Sequence, residues 1–344
     1  MVPSVEPEST ATISAAKLAT DSSVRPMVAS LFLQMMETER GSKRSVAKHG
    51  PGPDASGAGR LPCWLMSPQK ARFRIDRVAP DEDGGAWAAA LSAFEPRSAR
   101  TLKEEGGAAV YGATMLGRDV IVKVRDLRGV GERLKVAVGA GRGRRHWSGA
   151  RWLKSQGILT AEPYALATGR GGAEAREWLV LEALVGKTLL QHIADRDLPV
   201  RMEHEVARRL ARQVNAISRA GRFNRDHKPS NLILVPGDEG PIPAVIDCVA
   251  LRPGAGQTAR MVHSLAVEPL GLGIMPRRAF MARFVHTLVE AEFAGTEGSL
   301  SAAVRSLAKR ASRRAYWEVV SDSLRRHGDT VPRVNPLSPP RTPR

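Results

Sequence analysis

Patterns typical of strands and of helices occupy different halves of this sequence, and that separation limits the folds open to it. Between residues 73 and 181, short β-branched runs such as residues 120–124 alternate with glycine turns. From residue 203 onward, apolar residues recur every three or four positions, which is the period of a helix packed on one face. The order predicts an α+β chain in which a small β-rich lobe precedes a larger helical lobe.

The individual elements follow from the same periodicities. The predicted strands cover residues 73–75, 108–116, 120–124, 178–181, 232–235 and 244–246. The predicted helices cover residues 87–94, 144–156, 203–218, 279–292 and 302–326, with helical patterning already present from residue 260.

Both ends of the chain contain stretches that cannot bury a core, although residues 27–36 could form a turn or two of helix. Residues 50–59 read GPGPDASGAG, and the last residues are rich in proline. We therefore predict disordered tails at residues 1–70 and 329–344. Between them we predict an N-terminal lobe at residues 71–183 and a helical C-terminal lobe at residues 184–328.

Length and composition bound the class of protein. A chain of 344 residues, 42% of them hydrophobic, can bury the core of one two-lobed domain or of two small domains. Two cysteines, Cys63 and Cys248, cannot build a disulfide framework and indicate free thiols in a reducing compartment. No apolar run approaches the roughly 20 residues of a membrane span, and the first ten residues resemble no secretory signal. We expect a cytoplasmic protein.

The net charge of +17 has two interpretations. It can mark an anionic partner, such as nucleic acid, a membrane surface or a phosphorylated substrate. It can equally reflect an arginine-rich composition whose charges lie on a solvated surface. The sequence has no nucleic-acid motif and no interleaving of basic and aromatic residues. We therefore expect no nucleic-acid partner, and keep an anionic membrane surface as a candidate.

The segment most informative about chemistry reads FNRDHKPSNLIL and covers residues 223–234. Asp226 lies five positions before Asn231, an apolar strand follows, and a second strand ends at Asp247. Phosphoryl transfer requires a carboxylate base and oxygen ligands for Mg²⁺, and this spacing supplies both. We predict Asp226 as the base, Asn231 and Asp247 as metal ligands, and Lys228 as the cation that neutralises the transferred phosphoryl group. The alternative is an exposed polar turn between a helix and a strand.

Three further features could hold a nucleotide. Lys123 lies inside a β-branched run, where an ammonium requires a partner such as a nucleotide phosphate. Gly106 and Gly107 could form a turn that covers phosphates, although a plain hairpin turn explains them equally well. Glu182 and Leu184 follow a strand and precede the helical half, where the backbone could bind an adenine.

Histidines and Cys248 carry weaker signals. His146, His192, His227, His263 and His286 show no metal-binding spacing, so we expect solvated or capping roles. Cys248 adjoins Asp247, and packing explains it better than reactivity does.

Taken together, residues 100–290 resemble the lipopolysaccharide kinases, a bacterial family that includes Kdo kinases and is distantly related to protein kinases. The resemblance is carried by residues 117–123 (GRDVIVK), by residues 152–163 with their GILTAEP passage, and by residues 224–234 with Ile246 and Asp247. Residues 265–284 also resemble the later helical region of the family.

The resemblance implies a two-lobed protein-kinase-like fold that uses ATP and Mg²⁺. Lys123 would bind ATP phosphates, Asp226 would be the base, and Asn231 and Asp247 would hold the metal. The acceptor would be a hydroxyl, on a sugar or glycolipid, and the enzyme would be cytoplasmic or peripheral at the inner face of the membrane. A small-molecule kinase, a protein kinase and a non-catalytic binding module of the same fold stay open as alternatives.

One departure from the kinase pattern concerns the partner of the strand lysine. Protein kinases pair that lysine with a glutamate on the following helix. Residues 133–159 contain no acidic residue, and neither Glu132 nor Glu162 is well positioned to substitute. Asn224 also occupies the position of the protein-kinase histidine.

Overall fold

The computed structural model describes residues 73–171, 174–274, 276–296 and 300–327, and all of these belong to one compact unit. The tails predicted at residues 1–70 and 329–344, and Cys63 with them, lie outside the described residues. None of the helices in the described part of the chain combines the length and apolar character needed to cross a bilayer.

A six-stranded antiparallel sheet forms the N-terminal part. Its strands are β1 (Phe73–Val78), β2 (Arg100–Glu105), β3 (Ala108–Met115), β4 (Arg118–Asp126), β5 (Pro163–Gly171) and β6 (Glu174–Glu182). They are arranged in the order β1-β5-β6-β4-β3-β2. Three helices belong to this part: α1 (Gly84–Ala93), α2 (Gly129–Ala137) and α3 (Arg142–Ser155).

Helices dominate the C-terminal part. They are α4 (Leu189–Asp195), α5 (Val200–Arg219), α6 (Thr258–Gly271), α7 (Arg278–Glu292) and α8 (Ala302–His327). Two short antiparallel ribbons lie among them: β7 (Arg222–Asn224) with β10 (Leu251–Pro253), and β8 (Leu232–Val235) with β9 (Ile242–Val245). A turn of 3₁₀ helix at Pro229–Asn231 joins β7 to β8.

The mixed α+β order that the sequence predicts, a sheet followed by helices, is confirmed. The sequence patterns missed β2, β5, β7, β10, α2 and α4. Strand β2 reads RTLKEE and is exposed along its whole length, so it shows no alternation of apolar and polar residues. Helix α2 has no buried residue and therefore no apolar stripe facing a core.

Strand β4 separates two environments because successive side chains of a strand point to opposite faces. Val120, Val122 and Val124 are buried in a cluster that includes Trp87 of α1. Ile121 lies on the other face and packs in the cluster that includes Trp147 of α3. Lys123 is on that same face by its position in the strand, which directs it toward α3.

The helical core anchors the segments that carry the candidate site. Val206, Leu210, Val214 and Ile217 of α5 are fully buried and belong to the same apolar cluster as Leu232 and Val245. Burial of such a side chain stabilises a fold by about 1.5–3 kcal/mol. The ribbon of β8 and β9 is therefore fixed to α5, and the loop before β8 and the segment after β9 begin from fixed points.

Candidate functional site

The loop of residues 224–231 is held in shape by its own hydrogen bonds. The Asn231 side-chain amide donates to the backbone oxygen of Asp226 at 3.0 Å, and the Asn231 backbone N–H donates to Lys228 O at 2.9 Å. Pro229 fixes its own φ and begins the turn of 3₁₀ helix that ends at Asn231. These bonds hold Asp226 and Asn231 next to each other.

The segment of residues 246–248, which follows β9, is bonded to this loop. The Ile246 N–H donates to Asn231 O at 3.0 Å. Asn224, whose side chain is buried, donates to Asp247 O at 3.5 Å and accepts the Asp226 N–H at 3.2 Å. Asn224 thus connects Asp226 to Asp247, a role that the sequence alone did not reveal.

Lys123 reaches the same segment from the sheet. Its Nζ donates to the backbone oxygen of Ile246 at 3.1 Å. Burial lowers the pKa of Lys123, while the neighbouring Asp247 carboxylate opposes that shift. The structure therefore brings Lys123, Asp226, Asn231 and Asp247 into one bonded group, although they come from three separate stretches of the chain.

The oxygen atoms of this group suit a hard cation. The Asn231 amide nitrogen is bonded to Asp226, which leaves its Oδ1 for a ligand. Asp247 Oδ1 accepts the Val249 N–H at 3.1 Å, and Oδ2 makes no hydrogen bond within the described residues. In the described part of the chain, no group of three or more His, Cys, Asp or Glu side chains is arranged so that it could hold a metal ion. Mg²⁺ commonly binds through one or two carboxylates together with substrate phosphates, so an Asn and Asp pair fits it.

His146 of α3 lies where a partner for Lys123 was expected. Its Nδ1 is 3.6 Å from Asp247 Oδ1, and the ring is almost fully buried. Burial, followed by the charges of Lys123 and Arg142, lowers the pKa of His146 well below its ordinary value, so the ring is neutral at physiological pH. A neutral imidazole therefore occupies the position beside the lysine on this helix.

The expectation of solvated or capping roles is wrong for His146 and His227, both of which are buried. Neither ring nitrogen of His227 has a hydrogen-bond partner among the described residues, and burial lowers its pKa to about 4. For His146 the signal was present in the sequence, because Gly149, Ala150 and Leu153 follow it at helical spacing on the buried face of α3.

Helix α3 approaches the 246–248 segment very closely. A side-chain Cβ at Gly149 would lie 2.6 Å from the backbone oxygen of Cys248. Thr160 Oγ1 donates to Val245 O at 2.6 Å and lies 3.4 Å from Cys248 Sγ. Burial raises the pKa of Cys248 to about 12, so the thiol stays protonated and its role is packing.

Lys228 is paired with a carboxylate of helix α6. Its Nζ lies 3.2 Å from Glu268 Oε1 of α6, and the same carboxylate accepts the Ser230 backbone N–H at 2.7 Å. Lys228, which we predicted to neutralise the transferred phosphoryl group, therefore has an acidic partner forty positions further along the chain. Nothing in the loop sequence indicated this pairing.

The remaining predicted nucleotide residues lie on the sheet. Gly106 and Gly107 form the turn between β2 and β3, both with positive φ, and Gly107 O accepts the Asp126 N–H at 2.8 Å. Because Val110 pairs with Lys123 and Gly107 is bonded to Asp126, this turn is displaced from Lys123 by at least three residues, or about 10 Å along the strand. Glu182 ends β6 and Leu184 packs beside the Trp147 cluster. Among the residues that the structure describes, none of these four is hydrogen-bonded to the loop of residues 224–231.

Comparisons with known proteins do not extend this description. No protein-family model matches the chain, and a search of curated proteins found no significant match.

Proposed function

We propose that this chain is an ATP-dependent kinase with a two-lobed, protein-kinase-like fold, which transfers the γ-phosphate to a hydroxyl group. The observation that carries the proposal is the bonded group of Lys123, Asp226, Asn231 and Asp247. Lys123 donates to the carbonyl directly before Asp247, and Asn231 donates to the carbonyl of Asp226. An ammonium, two oxygen donors and a carboxylate are the parts that phosphoryl transfer uses.

Each residue has a role in this proposal. Asp226 orients the acceptor hydroxyl and accepts its proton, since its side chain is 42% exposed and can be reached by a substrate. Asn231 and Asp247 would hold Mg²⁺, which supplies positive charge to the phosphates when bound. Lys123 would bind a nucleotide phosphate, an interaction that favours its charged form. Lys228 has three N–H donors, so its pairing with Glu268 leaves donors for a phosphoryl oxygen.

The arrangement of the sheet supports the kinase-like fold. The glycine turn joins the first two strands of the β2-β3-β4 meander, and Lys123 lies on the third. In protein kinases a glycine-rich loop likewise precedes a lysine on the third strand. Helix α3 is the second helix after β4. It packs against the segment of residues 246–248, because Gly149 lies close to the backbone oxygen of Cys248. We propose Gly106, Gly107, Glu182 and Leu184 as nucleotide contacts on this basis.

The acceptor is proposed from the resemblance to lipopolysaccharide kinases: a sugar hydroxyl of a lipopolysaccharide core or another glycolipid. The net charge of +17 suits a protein that works at the anionic inner face of the cytoplasmic membrane. The second candidate is a non-catalytic nucleotide-binding module. It is favoured by one observation, which is that helix α3 places His146 and no glutamate beside Lys123 and Asp247.

The test is phosphate transfer from radiolabelled ATP into a membrane glycolipid extract and into soluble metabolites. Asp226→Asn removes the base, so transfer should fall about 10²- to 10⁴-fold. The matched control is Asp238→Asn, which changes an exposed aspartate in the turn between β8 and β9. Label in a glycolipid supports the proposed acceptor, whereas label in a soluble product supports a small-molecule kinase. Equal transfer by Asp226→Asn and the wild type would exclude the proposed base.

A further inference from the structure

A cleft beside Asp226 is lined mainly by cations. It is open to solvent and is bounded by β4, by α2 and α3, and by the segments around residues 225–226 and 249–252. We call it the arginine cleft. Two carboxylates line it, those of Glu132 and Asp226, against six cationic side chains: Arg125, Lys135, Arg142, Arg145, Arg225 and Arg252.

The acidic residues of the arginine cleft neutralise only part of this charge. Glu132 is paired with Arg125 and with Lys135, the latter at 2.9 Å. Asp226 lies 3.7 Å from Arg225. Arg142 and Arg145 are exposed and have no acidic side chain within ion-pair distance among the described residues. The charge left uncompensated is therefore centred on the start of α3.

The cations are close enough to repel one another. The pKa of Arg145 is lowered, first by its partial burial and then by the charges of Arg252, Arg142 and Arg125. Arg252 cannot turn away easily, because its Nη1 donates to the backbone oxygens of Val249 at 2.7 Å and of Leu251 at 2.9 Å. A fold that keeps several guanidinium groups together in this way is stabilised by a bound anion.

We infer that the arginine cleft is a binding site for a phosphate-type oxyanion. Guanidinium groups bind phosphate oxygens through paired N–H donors, and this geometry suits them better than an ammonium. Phosphorylation of the nearby segment cannot provide the anion, because residues 248–257 contain no serine, threonine or tyrosine. With that segment excluded, the anion that we assign to the cleft is a ligand, either free phosphate or a phosphomonoester on a larger molecule.

This site is separate from the proposed nucleotide residues and goes beyond the kinase reaction. None of its six cations belongs to the group of Lys123, Asn231 and Asp247. Asp226 lines the same cleft, so a ligand with both a phosphate and a hydroxyl could place the hydroxyl near the proposed base. The oxyanion site itself does not require that any transfer takes place.

The test is a titration with inorganic phosphate at constant ionic strength, followed by calorimetry and by thermal unfolding. Three proteins are compared: the wild type, Arg142→Gln/Arg145→Gln, and the charge-matched control Arg201→Gln/Arg212→Gln on the exposed face of α5. We expect saturable binding by the wild type and the control, with affinity lowered about tenfold or more in the cleft variant. No saturable binding by the wild type, or equal affinity in all three proteins, would overturn the inference.

A second arm separates the two sources of the anion. Phosphatidylcholine vesicles with and without phosphatidic acid present a phosphomonoester at a surface, and sedimentation measures the bound protein. Binding that requires phosphatidic acid and is lost in the cleft variant assigns the site to a phosphorylated lipid-like ligand. Phosphate binding without vesicle binding assigns it to a soluble phosphate. If vesicle binding is equal in the cleft variant, the vesicles bind elsewhere and the lipid-like assignment fails.

Asp247→Ala distinguishes failure of this inference from failure of the proposed function. This change removes a proposed metal ligand and none of the six cations, so phosphate affinity should remain within about twofold of the wild type. If Asp247→Ala instead weakens phosphate binding as much as the cleft variant does, phosphate occupies the nucleotide site. The inference then fails while the kinase proposal stands.

Discussion

Two neighbouring regions of the molecule differ in whether their polar side chains have partners within the protein. In the bonded group, the loop of residues 224–231, the segment of residues 246–248 and Lys123 satisfy one another through hydrogen bonds. In the arginine cleft, Arg142 and Arg145 have no acidic partner among the described residues. Side chains that are hydrogen-bonded to one another hold the geometry of a site before a ligand binds. Charged side chains without a partner in the protein indicate a place where a ligand of opposite charge can bind.

The largest expected effect on stability concerns His227, which is buried under the bonded group. Since burial lowers its pKa from 6.5 to about 4, the unfolded chain binds a proton in this interval that the folded protein does not. The free energy of unfolding should therefore fall by about 3 kcal/mol as the pH is lowered through this interval. His227→Leu, which replaces a ring without hydrogen-bond partners, should remove the part of that dependence that His227 causes. The part that the buried His146 causes should remain, and urea unfolding at several pH values measures both.

The control for this experiment is His286→Leu, which changes an exposed histidine of α7. It should keep the pH dependence of the wild type. An unchanged slope in His227→Leu would mean that the imidazole is protonated equally in the folded and unfolded states, and that the buried side of the loop is more open to water than described.

Glycine substitutions should have smaller effects on stability. These effects should differ between α3, which is in close contact with residues 246–248, and α2, which has no buried residue. A Cβ at Gly149 would meet the backbone of Cys248 at 2.6 Å, whereas a Cβ at Gly131 in α2 would meet nothing within 4 Å. Gly149→Ala should cost about 1–3 kcal/mol of stability, because α3 must move away from the Asp247 segment. Gly131→Ala should stabilise the protein by up to about 1 kcal/mol, because alanine favours a helix.

Thermal and urea unfolding of the two variants measure this difference directly. If Gly149→Ala is as stable as the wild type, α3 and the 246–248 segment are not in the close contact described. That result would also weaken the argument that His146 is held beside Asp247.

The sequence predicts those parts of the molecule that local patterns determine. The strand containing Lys123 and the stripe of Val206, Leu210 and Val214 have clear periods, and both were located correctly. The spacing of Asp226, Asn231 and Asp247 also marked residues that the fold brings together. Strand β5 was missed because its proline and glycines weaken the strand pattern.

What the sequence could not reveal depends on contacts between distant segments. The arginine cleft joins Arg125, Arg142 and Arg252, which are more than a hundred positions apart at the extremes. The pairing of Lys228 with Glu268 and the place of His146 beside Asp247 likewise require the packing of helices onto loops. A pattern within one segment contains no information about such partners.

The central claim is that Lys123, Asn231 and Asp247 form a Mg²⁺-nucleotide site, and calorimetry with a non-hydrolysable ATP analogue tests it without knowledge of the acceptor. We predict binding that requires Mg²⁺ in the wild type and in the exposed control Asp238→Ala, and an affinity about tenfold or more lower in Asp247→Ala. Binding that is independent of Mg²⁺, or equal in Asp247→Ala and the wild type, would contradict the account.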